Sequence, residues 1–175
     1  MNQTKAYPLP VRQIVKKSWH TRALILYALF VGGHAAEHVI QLIQAFVLDW
    51  PRMESMGVLG LWLPELMRSE VLHFSYNLLQ LIGLLLLANG FTGRAERWWR
   101  IAIIVQGWHF FEHFLLQAQW LMRQYLFGAS KQVSIGELLV PRIELHAIYV
   151  GIVLIPTVAT LVEHYRSAKR EQGGE

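Results

Sequence analysis

The chain has 175 residues, 54% of them hydrophobic and only 16% charged, with a net charge of +4 and a mean hydropathy of +0.31. Soluble domains carry roughly a quarter charged residues, so residues 1–175 read as one integral membrane domain rather than a soluble fold. The absence of cysteine excludes disulfides, thiolate metal sites, iron–sulfur clusters and cysteine nucleophiles.

Residues 1–22 form a polar tail, too long and too Lys-rich for the n-region of a signal peptide. The apolar run that follows is too long for an h-region, so no cleaved leader is expected. Four apolar stretches then run over about 23–47, 71–91, 101–127 and 138–162. Each holds about 20 or more residues, enough to cross roughly 30 Å of hydrocarbon at about 1.5 Å per residue. Only helices or closed barrels satisfy their backbone in lipid, and four continuous apolar runs mean helices. A polar tail at 166–175 closes the chain.

Charge sets the orientation. Eleven Lys and Arg lie in the two tails and the loop between the second and third stretches, against five in the other two loops. The positive-inside rule therefore predicts a cell-membrane protein, multi-pass, with both termini cytoplasmic. The basic residues read as topology signals and lipid contacts, with no nucleic-acid footprint. Trp50, Trp62, Trp98, Trp99 and Trp120 fall near predicted span ends, where interfacial anchors are expected. The outer loops, "DWPRMESMGVLGLWLPELMRSE" and "GASKQVSIGELLVPRIE", are apolar enough to lie over the bundle as a lid, with Pro64 and Pro141 as first-turn helix prolines.

The two halves match. "HAAEHVIQLIQ" aligns with "HFFEHFLLQAQ" at an offset of 75, and "VLHFSYN" with "ELHAIYV" at an offset of 73. His34, Glu37, His38 and Gln44 correspond to His109, Glu112, His113 and Gln119, and His73 and Tyr76 to His146 and Tyr149. The fold class expected is all-α: a four-transmembrane-helix bundle built from two tandem helical-hairpin repeats, about 23–92 and 100–165, related by a pseudo-twofold along the membrane normal.

Residues at i, i+3 and i+4 share a helix face. His34, Glu37 and His38 therefore project together, as do His109, Glu112 and His113, while His73 and Tyr76 share a face, as do His146 and Tyr149. Polar groups turned to lipid would be left unsatisfied, so all four stripes should point inward. Glu37 and Glu112 are the only acids deep within the spans, with no Lys or Arg at their level. A metal cation or a histidinium is the expected counter-charge.

Interhelical glue is the plain alternative, because polar bonds between membrane helices are worth only about 0.6 to 2 kcal/mol. Six histidines and two glutamates, duplicated and level, favour a metal centre instead. The ligand set is His34, Glu37, His38, His73, His109, Glu112, His113 and His146, enough for one or two ions of Fe, Cu or Zn. Glu37, Glu112, Tyr76 and Tyr149 are the candidate catalytic groups, and Gln41, Gln44, Gln80 and Gln119 are candidates to orient the ligands.

The spacing His34-x-x-x-His38 is similar to the histidine boxes of membrane desaturases and hydroxylases, a likeness confined to that spacing. His-x-x-Glu-His also resembles the inverzincin zinc motif, which implies a His pair on zinc with Glu as base. Haem held between histidines of facing helices is the alternative cofactor, with Gly32, Gly33, Gly83 and Gly107 making room for a porphyrin edge.

The function expected is a membrane metal-dependent oxidoreductase acting on a lipophilic or small substrate. A haem b electron-transfer subunit, a zinc-dependent membrane hydrolase and a metal or proton transporter are the alternatives. Membrane lipid is the expected partner, and a second copy of the chain or an electron donor is compatible with the reading; nucleic acid is not.

Overall fold

The computed structural model describes residues 11–173; the remaining parts of the two predicted cytoplasmic tails lie outside the described residues. The described residues form helices and turns, with no strand. Helix α1 spans Val11–Phe46, α2 Gly57–Trp62, α3 Pro64–Met67, α4 Glu70–Leu87, α5 Gly93–Met122 and α6 Arg142–Gly173. Among the described residues, three helices are long and apolar enough to cross a membrane, over Trp19–Phe46, Glu70–Gly90 and Arg142–Arg166.

The helix ends follow local chemistry. Ser69 caps α4, its Oγ accepting from the Val71 amide at 3.2 Å. Pro64 opens α3, where its missing N–H costs nothing. Gly93 stands at φ +61°, a left-handed turn that suits glycine, where the chain reverses between α4 and α5. The fourth helix starts at Arg142 rather than near residue 138, because 136–138 is taken up by a 3-10 turn of the preceding loop.

The expected third span differs most. Its helix α5 ends at Met122, and it is not among the three apolar candidates. The reason is its inner face: Gln106, His109, Glu112, His113 and Gln119 are all buried, and they depress the average. Its outer face is apolar, with Ile101, Ile104, Trp108, Phe111, Phe114 and Leu121 exposed.

Among the four long helices, α1 packs on α4 and α6, and α5 packs on α4 and α6. Away from the two long loops, Leu24, Tyr27, Val31, Leu84, Leu87, Phe91, Ala95, Trp99 and Ala102 form one buried apolar cluster. Trp99 corrects the interfacial assignment. It is 1% exposed, and its indole N–H donates to the Leu84 carbonyl at 2.8 Å. Its neighbour Trp98 takes the outward position. Gly83 lets the Tyr27 ring lie against α4, since a Cβ there would meet that ring at 2.7 Å.

Candidate metal centre

Six histidines from four helices gather at the end of the structure nearer the long loops. Helix α1 contributes His34 and His38, α4 His73, α5 His109 and His113, and α6 His146. Their rings form one chain of neighbours. Centroids lie 4.4 Å apart for His34–His38, 5.6 Å for His38–His146 and 6.0 Å for His73–His146. They lie 5.8 Å apart for His73–His113 and 5.1 Å for His113–His146.

The tightest group is His109, His113 and His146, whose ligand nitrogens all lie within 4.8 Å of one another. This three-histidine group could hold a metal ion. All three side chains are buried. The Nε2 atoms of His109 and His113 are 3.2 Å apart, as are those of His113 and His146. Across the site the Nε2 atoms of His34 and His38 stand 3.0 Å apart.

Backbone and amide oxygens decide which nitrogen carries the hydrogen. His146 Nδ1 lies 2.8 Å from the Arg142 carbonyl and His73 Nδ1 lies 2.9 Å from the Ser69 carbonyl. A carbonyl only accepts, so each Nδ1 is the donor, and a neutral ring then has a bare lone pair at Nε2. His38 is set the same way by Gln41 Oε1 at 2.9 Å. These are the contacts that orient metal-binding imidazoles. With His146 fixed as an acceptor, one hydrogen on His113 Nε2 has to serve both His109 and His146. His113 Nδ1 is itself buried without a hydrogen-bond partner.

Each of the two glutamates has one oxygen held by loop amides. Glu37 Oε2 accepts from the backbone amides of Val58 and Leu59, at 2.8 and 3.3 Å. Glu112 Oε1 accepts from the Gly136 amide at 2.7 Å. The sequence offered no basic side chain at this depth; the long loops supply N–H groups instead. Gln44 and Gln119 act alongside them. Gln44 accepts from the Gly57 amide at 2.8 Å, and Gln119 accepts from the Leu126 and Val133 amides at 3.0 and 3.3 Å. Gly57 has φ +75°, and a Cβ there would collide with the Glu37 carboxylate. Glycine is required for that approach.

Tyr76 stacks on His34 with centroids 3.8 Å apart, and Tyr149 stacks on His109 at 4.4 Å. The Tyr149 hydroxyl accepts from the Trp108 indole at 2.9 Å, and the Tyr76 hydroxyl donates to the Phe30 carbonyl at 3.4 Å. Both tyrosines therefore wall the histidines from the side. Gln106 donates to Asn77 Oδ1 at 2.9 Å, and Asn77 donates to the His73 carbonyl at 2.9 Å, which ties α5 to the turn of α4 that carries His73.

Sequence reasoning missed three ion pairs at the edge of the site. Arg142 pairs with the buried Glu70 at 2.6 Å and lies 3.5 Å from Glu137, while Arg52 pairs with Glu144 at 2.5 Å. Opposite charges at the starts of two helices were the available signal, but pairing between them depends on packing. Chemically, three converging imidazoles, with the Nε2 lone pair of His146 set by a backbone carbonyl, suit zinc, copper or iron. Comparison of the chain with protein-family models, with curated proteins and with solved structures finds no match.

Proposed function

We propose that the chain is an integral membrane metalloprotein whose His109, His113 and His146 hold a redox metal ion, and that it oxidises or reduces a lipophilic or small substrate. The observation that carries this reading is the buried convergence of three imidazole nitrogens within 4.8 Å, with the hydrogen of His146 held away from the site by the Arg142 carbonyl. His34, His38 and His73 border the same space and offer ligands for a second ion.

The architecture proposed is a bundle of four spanning helices, α1, α4, α5 and α6, made of two tandem hairpins with both termini cytoplasmic. The outward apolar face of α5 supports its inclusion as the fourth span. Matched contacts support the repeat: the paired Nε2 atoms of His34–His38 and His109–His113, the stacked His34–Tyr76 and His109–Tyr149, and the Nδ1 bonds of His73 and His146 to the carbonyl four residues earlier.

Two features favour redox chemistry at a closed site over the other readings. Glu37 and Glu112 each have an oxygen committed to loop amides, which weakens the case for a general base in hydrolysis. The apolar cluster around Trp99 and Leu84 seals the end away from the loops, whereas a transport path needs polar groups through to both faces. Haem ligation calls for histidines on opposite faces of a flat slot, whereas three nitrogens here point at one another.

Elemental analysis and an optical spectrum of detergent-purified protein test the reading. About one equivalent or more of a transition metal is expected in wild type, and less than a tenth of it in His113→Ala. Wild type free of metal after purification without chelators, or metal unchanged in His113→Ala, overturns it.

A further inference from the structure

Two cavities reach the histidines from different directions. One, of about 360 Å³, opens among the loops. Its mouth is lined by Arg52, Arg68, Lys131 and Arg142, and its floor by His38, His73 and His146. Among the described residues no acid lines it; its arginines pair with Glu144, Glu65, Glu70 and Glu137 outside the lining. Lys131 is exposed. The other cavity, of about 340 Å³, is a cleft beside α1 and α4. Leu29, Phe30, Gly33, Leu59 and Leu72 make its outer wall apolar, and Glu37, held by loop amides, lies deeper with the histidines. Leu29 is 68% exposed, so this cleft opens on the apolar outer surface of the structure.

The two cavities share four residues, His38, Gln41, Met67 and His73. A mouth rich in guanidinium and ammonium N–H donors and a largely apolar slot thus meet at imidazoles. Each has the size of a small-molecule site, which runs from roughly 300 to 1,000 Å³. Guanidinium groups recognise carboxylate and phosphate, and the cleft offers the hydrocarbon burial that an alkyl chain seeks.

We infer that this paired site binds a single-chain anionic amphiphile, with its carboxylate or phosphate head among Arg52, Arg68, Lys131 and Arg142 and its hydrocarbon tail in the cleft beside Gly33. The atoms between head and tail then lie against His38 and His73. This assignment rests on the proposed metal centre, for which it names the substrate class.

A twelve-carbon carboxylic acid carrying a diazirine on its chain tests it by photolabelling of the purified protein in neutral detergent, with metal content measured on the same samples. Label is expected within residues 29–41 and 59–76. Dodecanoate and dodecyl phosphate should compete with it at least roughly tenfold better than dodecanol does. Acetate and inorganic phosphate should not compete, because the tail supplies much of the affinity.

Two variants spare the histidines. Gly33→Phe fills the cleft, since a Cβ at Gly33 meets nothing within 4 Å. Arg68→Gln/Lys131→Gln removes two exposed cations from the mouth. Each should cut labelling roughly threefold to tenfold while wild-type metal content is kept. Label retained in either variant, or dodecanol competing as well as dodecanoate, overturns the inference and leaves the metal centre standing. A wild type without metal overturns the metal centre and the substrate role with it, whatever the labelling shows.

Discussion

Arg142 holds His146 by its backbone and Glu70 by its side chain. Its carbonyl accepts from His146 Nδ1 at 2.8 Å, and its guanidinium pairs with the Glu70 carboxylate at 2.6 Å. One residue thus orients a proposed ligand on α6 and ties α6 to the first turn of α4.

The two tasks separate by mutation. Arg142→Leu keeps the carbonyl and removes the guanidinium, leaving the Glu70 carboxylate buried with no cation beside it. Stability should fall by about 1 to 3 kcal/mol, as when a buried acceptor loses its partner. The double variant Arg142→Leu/Glu70→Leu should recover most of that loss. Thermal unfolding in detergent, followed by tryptophan fluorescence, measures both. A double variant as unstable as the single one would show that the pair is not the cause.

The six histidines should not weigh equally in metal binding. His109, His113 and His146 form the compact group, whereas His34, His38 and His73 do not meet within the same 4.8 Å limit. Alanine at His109, His113 or His146 should therefore lower metal affinity at least roughly tenfold more than alanine at His34. Competition with a chelator of known affinity reads the difference. Equal losses at His34 and His109 would instead mean two equivalent ions.

Glu37 and Glu112 are expected to act as loop holders. Glu37→Gln retains an oxygen that can accept from Val58 and Leu59, so metal content and loop protection should persist. Glu37→Ala leaves those amides without their acceptor and should cost about 1 to 3 kcal/mol. Gly57→Ala should resemble Glu37→Ala, because it strains a φ of +75° and pushes a methyl group into the carboxylate. Limited proteolysis of the 47–69 loop measures all three. Loss of metal in Glu37→Gln with the loop still protected would place the carboxylate among the ligands instead.

Much of this was legible before any coordinates. Helical content and the meeting of His34 with His38 and of His109 with His113 follow from spacing, because i and i+4 share a face, and their inward direction follows from the cost of polar groups in lipid. The role of Glu37 was not legible. A carboxylate's partners there are backbone amides, and every residue carries one, so no sequence pattern marks them. Trp99 misled because its neighbour Trp98 has the same side chain and the same proximity to a span end; only packing decides which one turns inward. The expected third stretch ran past the end of α5, because nothing in its apolar sequence marks the left-handed turn at Arg123 that stops the helix after Met122.

The arginines at the loop-side mouth stitch the loops to the helices. Arg52 of the first long loop pairs with Glu144 of α6, and Arg142 pairs with Glu70 of α4 and Glu137 of the second long loop. Such pairs weaken where they face water as salt shortens the Debye length below about 10 Å. Rising ionic strength should therefore loosen the loops before it unfolds the helices beneath them, an order that hydrogen exchange would read.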